Sequence, residues 1–310
     1  MHDSLSPAPT PLAPAPVAVV IVSWNSSDEL SFCLDAVQAE TPAEIVVIDN
    51  GSRDGTPELV RAEYPEVRLI PLGENRGFAA GCNIGVHASA APYVLFLNAD
   101  ATLEPGYLRT LVGALAADPR AASATGKLVF WRDGTRYIDS AGIRLCAYAL
   151  RPLDRGYGEV DHGQYDRRVT VFGPSGAAAL YRRSALVAAG PQAFDEDFFA
   201  YYEDVDLAWR LRRLGYRHLY EPHALACHER RGAKRKPRDI AERAFINRYA
   251  TWLKNESLGR FLLYAPLALG WELLRLVRRY ANGGTLDWRE TRRRLGEAWA
   301  SRARPGARGE

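Results

Sequence analysis

The sequence predicts an α/β fold with a mostly parallel central sheet flanked by helices, and three observations predict it. Short β-rich runs alternate with segments of helical spacing across residues 17–97, the pattern of βαβ units. The strand-like runs end in polar groups: Ser23-Trp24-Asn25, Asp49-Asn50-Gly51-Ser52, Gly73-Glu74-Asn75 and Asn98-Ala99-Asp100. A composition of 47% apolar and 25% charged residues is that of a globular chain able to bury a sizeable core. Ligands of open parallel sheets bind beyond the carboxyl ends of the strands, so the four polar ends mark the expected mouth of a site.

Taken in order, strands are expected at residues 17–22, 44–48, 67–71 and 93–97, and helices at 27–39, 56–63 and 79–88. Gly51 and Gly55 make a turn in which Ser52 or Asp54 can cap the next helix. Gly77, Gly81 and Gly85 recur every fourth residue, which puts them on one helix face and allows close backbone approach. Neither the G-x-G-x-x-G fingerprint nor a G-x-x-x-x-G-K-[ST] phosphate loop is present, which argues against a dinucleotide-dependent oxidoreductase.

After a helix at 106–117, β-like pieces at 123–130, 137–145, 169–172 and 177–181 suggest antiparallel additions forming a substrate wall. A helix at 203–214, a strand at 217–220 and helices at 239–254 and 257–280 complete the pattern.

The net charge of +3 hides an asymmetry, because residues 231–310 carry nineteen Lys and Arg against eight Asp and Glu. The two parts therefore face different partners. Cys33, Cys82, Cys146 and Cys227 lack disulfide or zinc spacing and read as thiols of a reducing compartment. Residues 1–16 have no basic start or continuous apolar core, so they read as a disordered leader rather than a secretory signal. The longest apolar stretch, 261–271, is eleven residues, short of the roughly twenty that span a bilayer.

Several side chains carry candidate chemistry. Asp49 can accept a hydrogen bond from a nucleobase imide or a ribose hydroxyl, or organise an Asx-turn. Asp100 can hold a Mg2+ or Mn2+ ion against phosphate oxygens, or cap a helix near Glu104. Residues 194–206 mix six carboxylates with five aromatics. Acids at the start of the 203–214 helix suit its dipole, and in a desolvated cleft one of them suits a general base. His228 is a candidate metal ligand, with His223 its local competitor.

Five ordered segments then carry a family resemblance: residues 20–25, 47–56, 75–83, 97–101 and 194–210. Their cores are Ser23-Trp24-Asn25, Asp49-Asn50-Gly51-Ser52, Asn75-Arg76-Gly77-Phe78, Asn98-Ala99-Asp100 and Glu203-Asp204. The chain resembles the family 2 inverting glycosyltransferases of GT-A fold, in particular their bacterial rhamnosyltransferase-like branch. The resemblance implies a GT-A catalytic domain over residues 17–235 and a basic helical extension over 236–310. It implies a nucleotide-diphosphate sugar donor, with dTDP-L-rhamnose the branch's expectation, and a hydroxyl of a lipid-linked or cell-surface polysaccharide as acceptor.

By the same resemblance Ser23, Asn25 and Asp49 contact base and ribose, and Asn75 and Arg76 lie beside the nucleotide or sugar. Asn98-Ala99-Asp100 stands where the family has D-x-D, so an amide replaces the first carboxylate. Asp100 then carries the divalent metal, Asn98 orients ribose or water, and His228 is a further ligand. Glu203-Asp204 matches the family's E-D pair, in which Asp204 is the catalytic base. Ser175 and Gly176, with Glu203, belong to the acceptor side. The alternative is a catalytically silent nucleotide-sugar-binding or scaffold protein of the same fold, against which the presence of both Asp100 and Asp204 speaks.

In the extension, Phe261, Leu262, Tyr264, Leu273, Leu274 and Val277 stand beside Arg260, Arg275 and Arg278. An amphipathic helix with a basic rim suits an anionic membrane face; a helical hairpin packed on the catalytic domain, or a dimer contact, is the other reading. The expected location is cytoplasmic, with peripheral contact at the inner face of the membrane. The basic runs 234–236 and 292–294 come with no nucleic-acid-binding signature, and no nucleic-acid partner is expected.

Overall fold

The computed structural model describes residues 15–146, 151–230, 238–281 and 287–301. The expected leader lies almost wholly outside the described residues, as does the division placed between residues 235 and 236. Strands β1 (Ala15–Ser23), β2 (Pro42–Asp49), β3 (Arg68–Pro71) and β4 (Tyr93–Asn98) alternate with helices α1 (Ser27–Ala39), α2 (Thr56–Glu63) and α3 (Phe78–Ala88). β1 pairs in parallel with both β2 and β4, and β2 with β3. The chain thus steps outward from β1 to β3 and then returns to the other side of β1. That reversal opens a crevice at the carboxyl ends of β1 and β4, where Ser23 and Asn98 stand.

β1 shows why the sheet forms. Val17, Val19 and Ile21 face one core cluster, shared with α1, α2 and α4 (Tyr107–Ala117), while Val20 faces a second, shared with α3. Both faces are covered, so β-branched residues run without a polar break. On α3 the glycine spacing has the expected purpose: a Cβ at Gly81 would stand 2.7 Å from Val22, and one at Gly85 2.2 Å from Val20.

Beyond β4 come β5 (Ala101–Leu103), β6 (Ala121–Arg132), β7 (Thr135–Ser140), β8 (Ile143–Cys146), β9 (Arg151–Asp154), β10 (Val169–Val171), β11 (Ala178–Arg182) and β12 (Arg217–His228). The strand order is β10-β12-β6-β11-β4-β1-β2-β3, with β5 on β12 and β7 on β6. The expected antiparallel additions are only part of this half, because β6 and β12 run parallel to each other. The single strand expected at 137–145 is two, broken where Gly142 turns with φ 86°. The strand expected at 217–220 runs on to His228: a register irregularity between Glu221 and Leu225 absorbs Pro222.

Helices α5 (Arg183–Ala188) and α6 (Glu203–Arg213) complete the second face of the sheet, and α7 (Arg238–Asn255), α8 (Leu258–Ala281) and α9 (Trp288–Ser301) follow. Trp252 of α7 meets Trp209 of α6 edge to face at 5.0 Å. Ala268 of α8 joins that cluster, with Phe261 and Tyr264 packed against it. One face of α8 is therefore packed on the molecule, while Leu262, Leu263, Leu273 and Val277 stay exposed. No described helix is long and apolar enough to cross a membrane.

Candidate active site

Two cavities adjoin at the crevice. One, of about 610 Å³, is lined by Trp24 and Asn25 after β1, Asp28 and Glu29 of α1, Asp54, and Asp100 after β4. The other, of about 370 Å³, is lined by Ile143, Leu153, Asp154, Ser175, Gly176, Glu203 and Asp204. Asn98, Tyr201, His228 and Arg230 line both. Asp100 and Asp204 thus open onto neighbouring compartments of one cleft.

Among the described residues Ser23, Asp49, Asn75 and Arg76 line neither cavity. Asp49 Oδ2 accepts from the Ser52 N–H at 3.2 Å, the Asx-turn geometry, while its Oδ1 and the Ser23 Oγ beside it are buried without hydrogen-bond partners. The Asn25 side chain accepts from Arg53 N–H, and the Asn25 backbone N–H donates to Ser52 Oγ at 2.8 Å, tying the β1 and β2 loops together. Asn75 Oδ1 accepts from Asn50 and from Gly77 N–H, both at 3.0 Å, which fixes the turn into α3. Arg76 is exposed, and its backbone N–H donates to Asn50 Oδ1.

The helix after Asp100 begins only at Tyr107, behind Gly106, so Asp100 is not its cap. β5 intervenes and pairs with the end of β12, setting Ala101 opposite His228. His228 Nε2 lies 3.3 Å from Asp100 Oδ1 and 3.3 Å from Asn98 Nδ2, and its Nδ1 meets the fully buried Asp139 at 2.8 Å. Burial pulls the imidazole pKa down, but hydrogen bonds to Asp100 and Asp139 and their charges outweigh it and raise it to about 9. Arg230 pairs with Asp139 and, at 2.9 Å, with Asp154. His223 is exposed and lines neither cavity.

Among the described residues no three His, Cys, Asp or Glu side chains are grouped to hold a metal unaided. Asp100 and His228 nonetheless fit a Mg2+ or Mn2+ ion completed by phosphate oxygens. The far nitrogen of His228 is held by a buried carboxylate, as in ligating histidines generally. The larger cavity presents Asp28, Glu29, Asp54 and Asp100 beside Arg230 and His228, a lining whose carboxylates a divalent cation would help to offset.

Asp204 and Glu203 open α6. Asp204 Oδ1 accepts from the Val205 N–H at 2.8 Å and Oδ2 from the Gly176 N–H at 3.1 Å, whereas Glu203 Oε2 is buried without a partner. Burial raises both carboxyls. Asp204, eased by its two N–H donors and pushed further by Asp154, rises to about 6; Glu203, facing Asp204, goes well above the carboxylate range. Paired acids driven apart in this way divide their roles, leaving Asp204 the more readily ionised of the two.

The segment leading into α6 is strained. Phe199 (φ 61°, ψ −65°) centres a γ-turn in which Ala200 N–H reaches Phe198 O at 2.7 Å, and Tyr201 (φ 69°) and Tyr202 (φ 76°) are left-handed. None is glycine, and each such residue costs on the order of 1–3 kcal/mol.

Residues 18–188 match the family model described as glycosyl transferase family 2. The chain belongs to glycosyl transferase family 2. Like it is the N-acetylglucosaminyl-diphospho-decaprenol L-rhamnosyltransferase of Mycobacterium tuberculosis, 31% identical over 259 residues, 76% of this chain and 82% of that protein. The poly-beta-1,6-N-acetyl-D-glucosamine synthase of Staphylococcus aureus is 28% identical over 217 residues, 67% of this chain and 48% of that protein.

In fold, this family 2 glycosyltransferase resembles GalNAc-T7 solved with UDP, GalNAc and Mn2+ (TM-score 0.56, 16% identity), over 77% of this chain and 50% of that one. It also resembles the mannosyltransferase PcManGT of Pyrobaculum calidifontis solved with GDP-Man and Mn2+ (TM-score 0.55, 21% identity), over 94% and 83% of the two chains. The fold is the GT-A fold.

Sequence reasoning about this glycosyltransferase missed Asp139, Asp154 and Arg230. Arg230 follows His228 by two residues, just past the end of β12, where a left-handed backbone (φ 49°) turns it to the cleft. Asp139 and Asp154 carry no sequence signal, because only strand pairing brings them to the cleft.

Proposed function

We propose that this glycosyltransferase is a metal-dependent inverting enzyme that moves L-rhamnose from dTDP-L-rhamnose to a hydroxyl of a lipid-linked saccharide. The observation that carries the reading is the pair of adjoining cavities, Asp100 and His228 on the first and Asp204 on the second. The likeness to the mycobacterial rhamnosyltransferase, whose name gives a polyprenyl-diphosphate-linked N-acetylglucosamine acceptor, supports the choice of substrates.

In this reading the larger cavity takes the nucleoside diphosphate and the smaller one the acceptor, beside Ser175, Gly176 and Glu203. Asp49 lines neither cavity, but its buried, unsatisfied Oδ1 is an acceptor that a nucleobase reaching past the larger cavity would use. Asn25 borders the base and ribose and Asn98 the ribose or a water, while Ser23, Asn75 and Arg76, which line neither cavity, support the nucleotide-side loops from behind or beside them. Asp100 and His228 hold the cation, which when bound offsets charge on the leaving diphosphate. Asp204 takes the acceptor proton as that oxygen forms its bond to the anomeric carbon and the carbon–phosphate-oxygen bond breaks on the opposite face. One in-line displacement inverts the anomeric centre.

The exposed face of α8, with Leu262, Leu263, Leu273 and Val277 beside Arg260 and Arg278, supports peripheral contact with an anionic membrane at its cytoplasmic side. It would bring the cleft to a lipid-anchored acceptor.

A panel of nucleotide sugars, with and without Mn2+ or Mg2+, tests the chemistry. Metal-dependent transfer from dTDP-L-rhamnose to polyprenyl-diphosphate-linked N-acetylglucosamine is expected, and Asp204→Asn should abolish it while donor binding persists. Transfer by that variant at the wild-type rate, or no turnover of any donor, overturns the proposal. For the membrane, Leu273→Glu with Val277→Glu should lose co-sedimentation with phosphatidylglycerol vesicles; equal pelleting of variant and wild type would remove it.

A further inference from the structure

The turn that carries the three positive-φ aromatics and delivers α6 to the cleft is tied from behind by the amide of one side chain. Asn247 of α7 is fully buried, and its Nδ2 lies 2.8 Å from Phe198 O, 2.9 Å from Ala200 O and 2.8 Å from Tyr201 O. Its Oδ1 accepts from Arg294 Nη2 of α9 at 2.6 Å, and that same nitrogen also donates to Asp197 O. Arg243, one turn earlier on α7, lies over the Phe199 ring at 4.8 Å. On the other side of the turn, Phe199 O accepts from the Ala79 N–H of α3 at 3.1 Å.

These contacts have a direction. Ala200, Tyr201 and Tyr202 are themselves part of the wall of the smaller cavity, and Glu203 and Asp204 follow at once. A turn held in sparsely populated backbone conformations relaxes unless its surroundings over-determine it. Without the amide the Ala200 carbonyl would also lose this hydrogen bond. Relaxation of residues 199–202 rotates the first turn of α6, and with it the Asp204 carboxylate.

We infer that Asn247 is a positioning residue for the transfer reaction, clamping the 198–202 turn so that Asp204 faces the acceptor cavity, with Arg294 fixing the amide's orientation. The C-terminal helices are then required for turnover itself, beyond any part in membrane contact. The inference rests on the assignment of Asp204 as the base.

The test uses the full chain and steady-state kinetics with saturating acceptor. Asn247→Ala, and Asn247→Asp, which keeps the volume but donates no hydrogen bond, should lower kcat by about tenfold to a hundredfold with donor KM within about twofold. Thr251→Val, one turn away and buried but bonded only within α7, reports what destabilisation of the helix alone does and should leave kcat near wild type. If the Asn247 variants do not fold, Arg294→Met carries the same expectation from α9. Wild-type kcat in the folded variants, or an equal loss in Thr251→Val at matched Tm, overturns the positioning role. Transfer by Asp204→Asn would instead strike the base assignment, so the two failures are told apart.

Discussion

Gly176 donates its backbone N–H to Asp204 Oδ2 at 3.1 Å, and a Cβ at position 176 would stand 2.9 Å from that same oxygen. The first turn of α6 and the loop before β11 therefore meet with no room for a methyl group. Gly176→Ala must push the carboxylate aside and break its hydrogen bond. The expected outcome is a fall in kcat of about tenfold or more, with donor affinity by calorimetry nearly unchanged.

Asp204 also sets a pH dependence. With burial raising its pKa from 3.8 to about 6, kcat should fall on the acid side with an apparent pKa near 6. Asp154 adds to that rise, so Asp154→Asn should move the acid limb down by about half a unit.

The same shift has a sign in stability. A carboxyl whose folded pKa lies above its unfolded value stabilises the fold below the unfolded pKa and loses that contribution as pH rises through the folded one. Between pH 4 and pH 7 wild type should therefore lose stability relative to Asp204→Asn, by up to about 2 kcal/mol. Paired thermal melts across that range give the comparison; a difference constant with pH would count against the shift.

Asp139 holds His228 Nδ1 at 2.8 Å, leaving Nε2 turned toward Asp100. Asp139→Asn should weaken activation by Mn2+ by about tenfold to a hundredfold, read from a metal titration of activity. Asp100→Asn should abolish metal activation, and chelation should silence the wild type.

Gly85→Ala places a Cβ 2.2 Å from Val20 Cγ1. Helix propensity favours alanine by about 1 kcal/mol, but overpacking against a buried strand costs about 1–3 kcal/mol and should prevail. A lowered Tm, partly restored by adding Val20→Ala, is the expected result.

The fold was legible where periodicity is local. α1 and α2 have the bounds the sequence predicts, and β1 to β4 differ from expectation by two residues or fewer at each end. Legibility declined in the second half. The runs 217–220 and 137–145 each read as one complete strand, whereas pairing with β6 carries β12 through Pro222 to His228 and the turn at Gly142 breaks the other run. Of the candidate site, Asn25, Asn98, Asp100, Ser175, Gly176, Glu203, Asp204 and His228 line the cleft, while Ser23, Asp49, Asn75 and Arg76 stand behind or beside it.

By itself the sequence determined the order of strands and helices, the polar ends of the parallel strands and the acidic pair that opens α6, because these follow from side-chain period and from spacing along the chain. Only the tertiary structure decided that His228 sits between Asp100 and Asp139 and that Asn247 clamps the turn before Asp204. Those contacts depend on strand register across Pro222 and on where α7 packs. They join residues far apart in the chain through sheet hydrogen bonds and core packing, which no local pattern encodes.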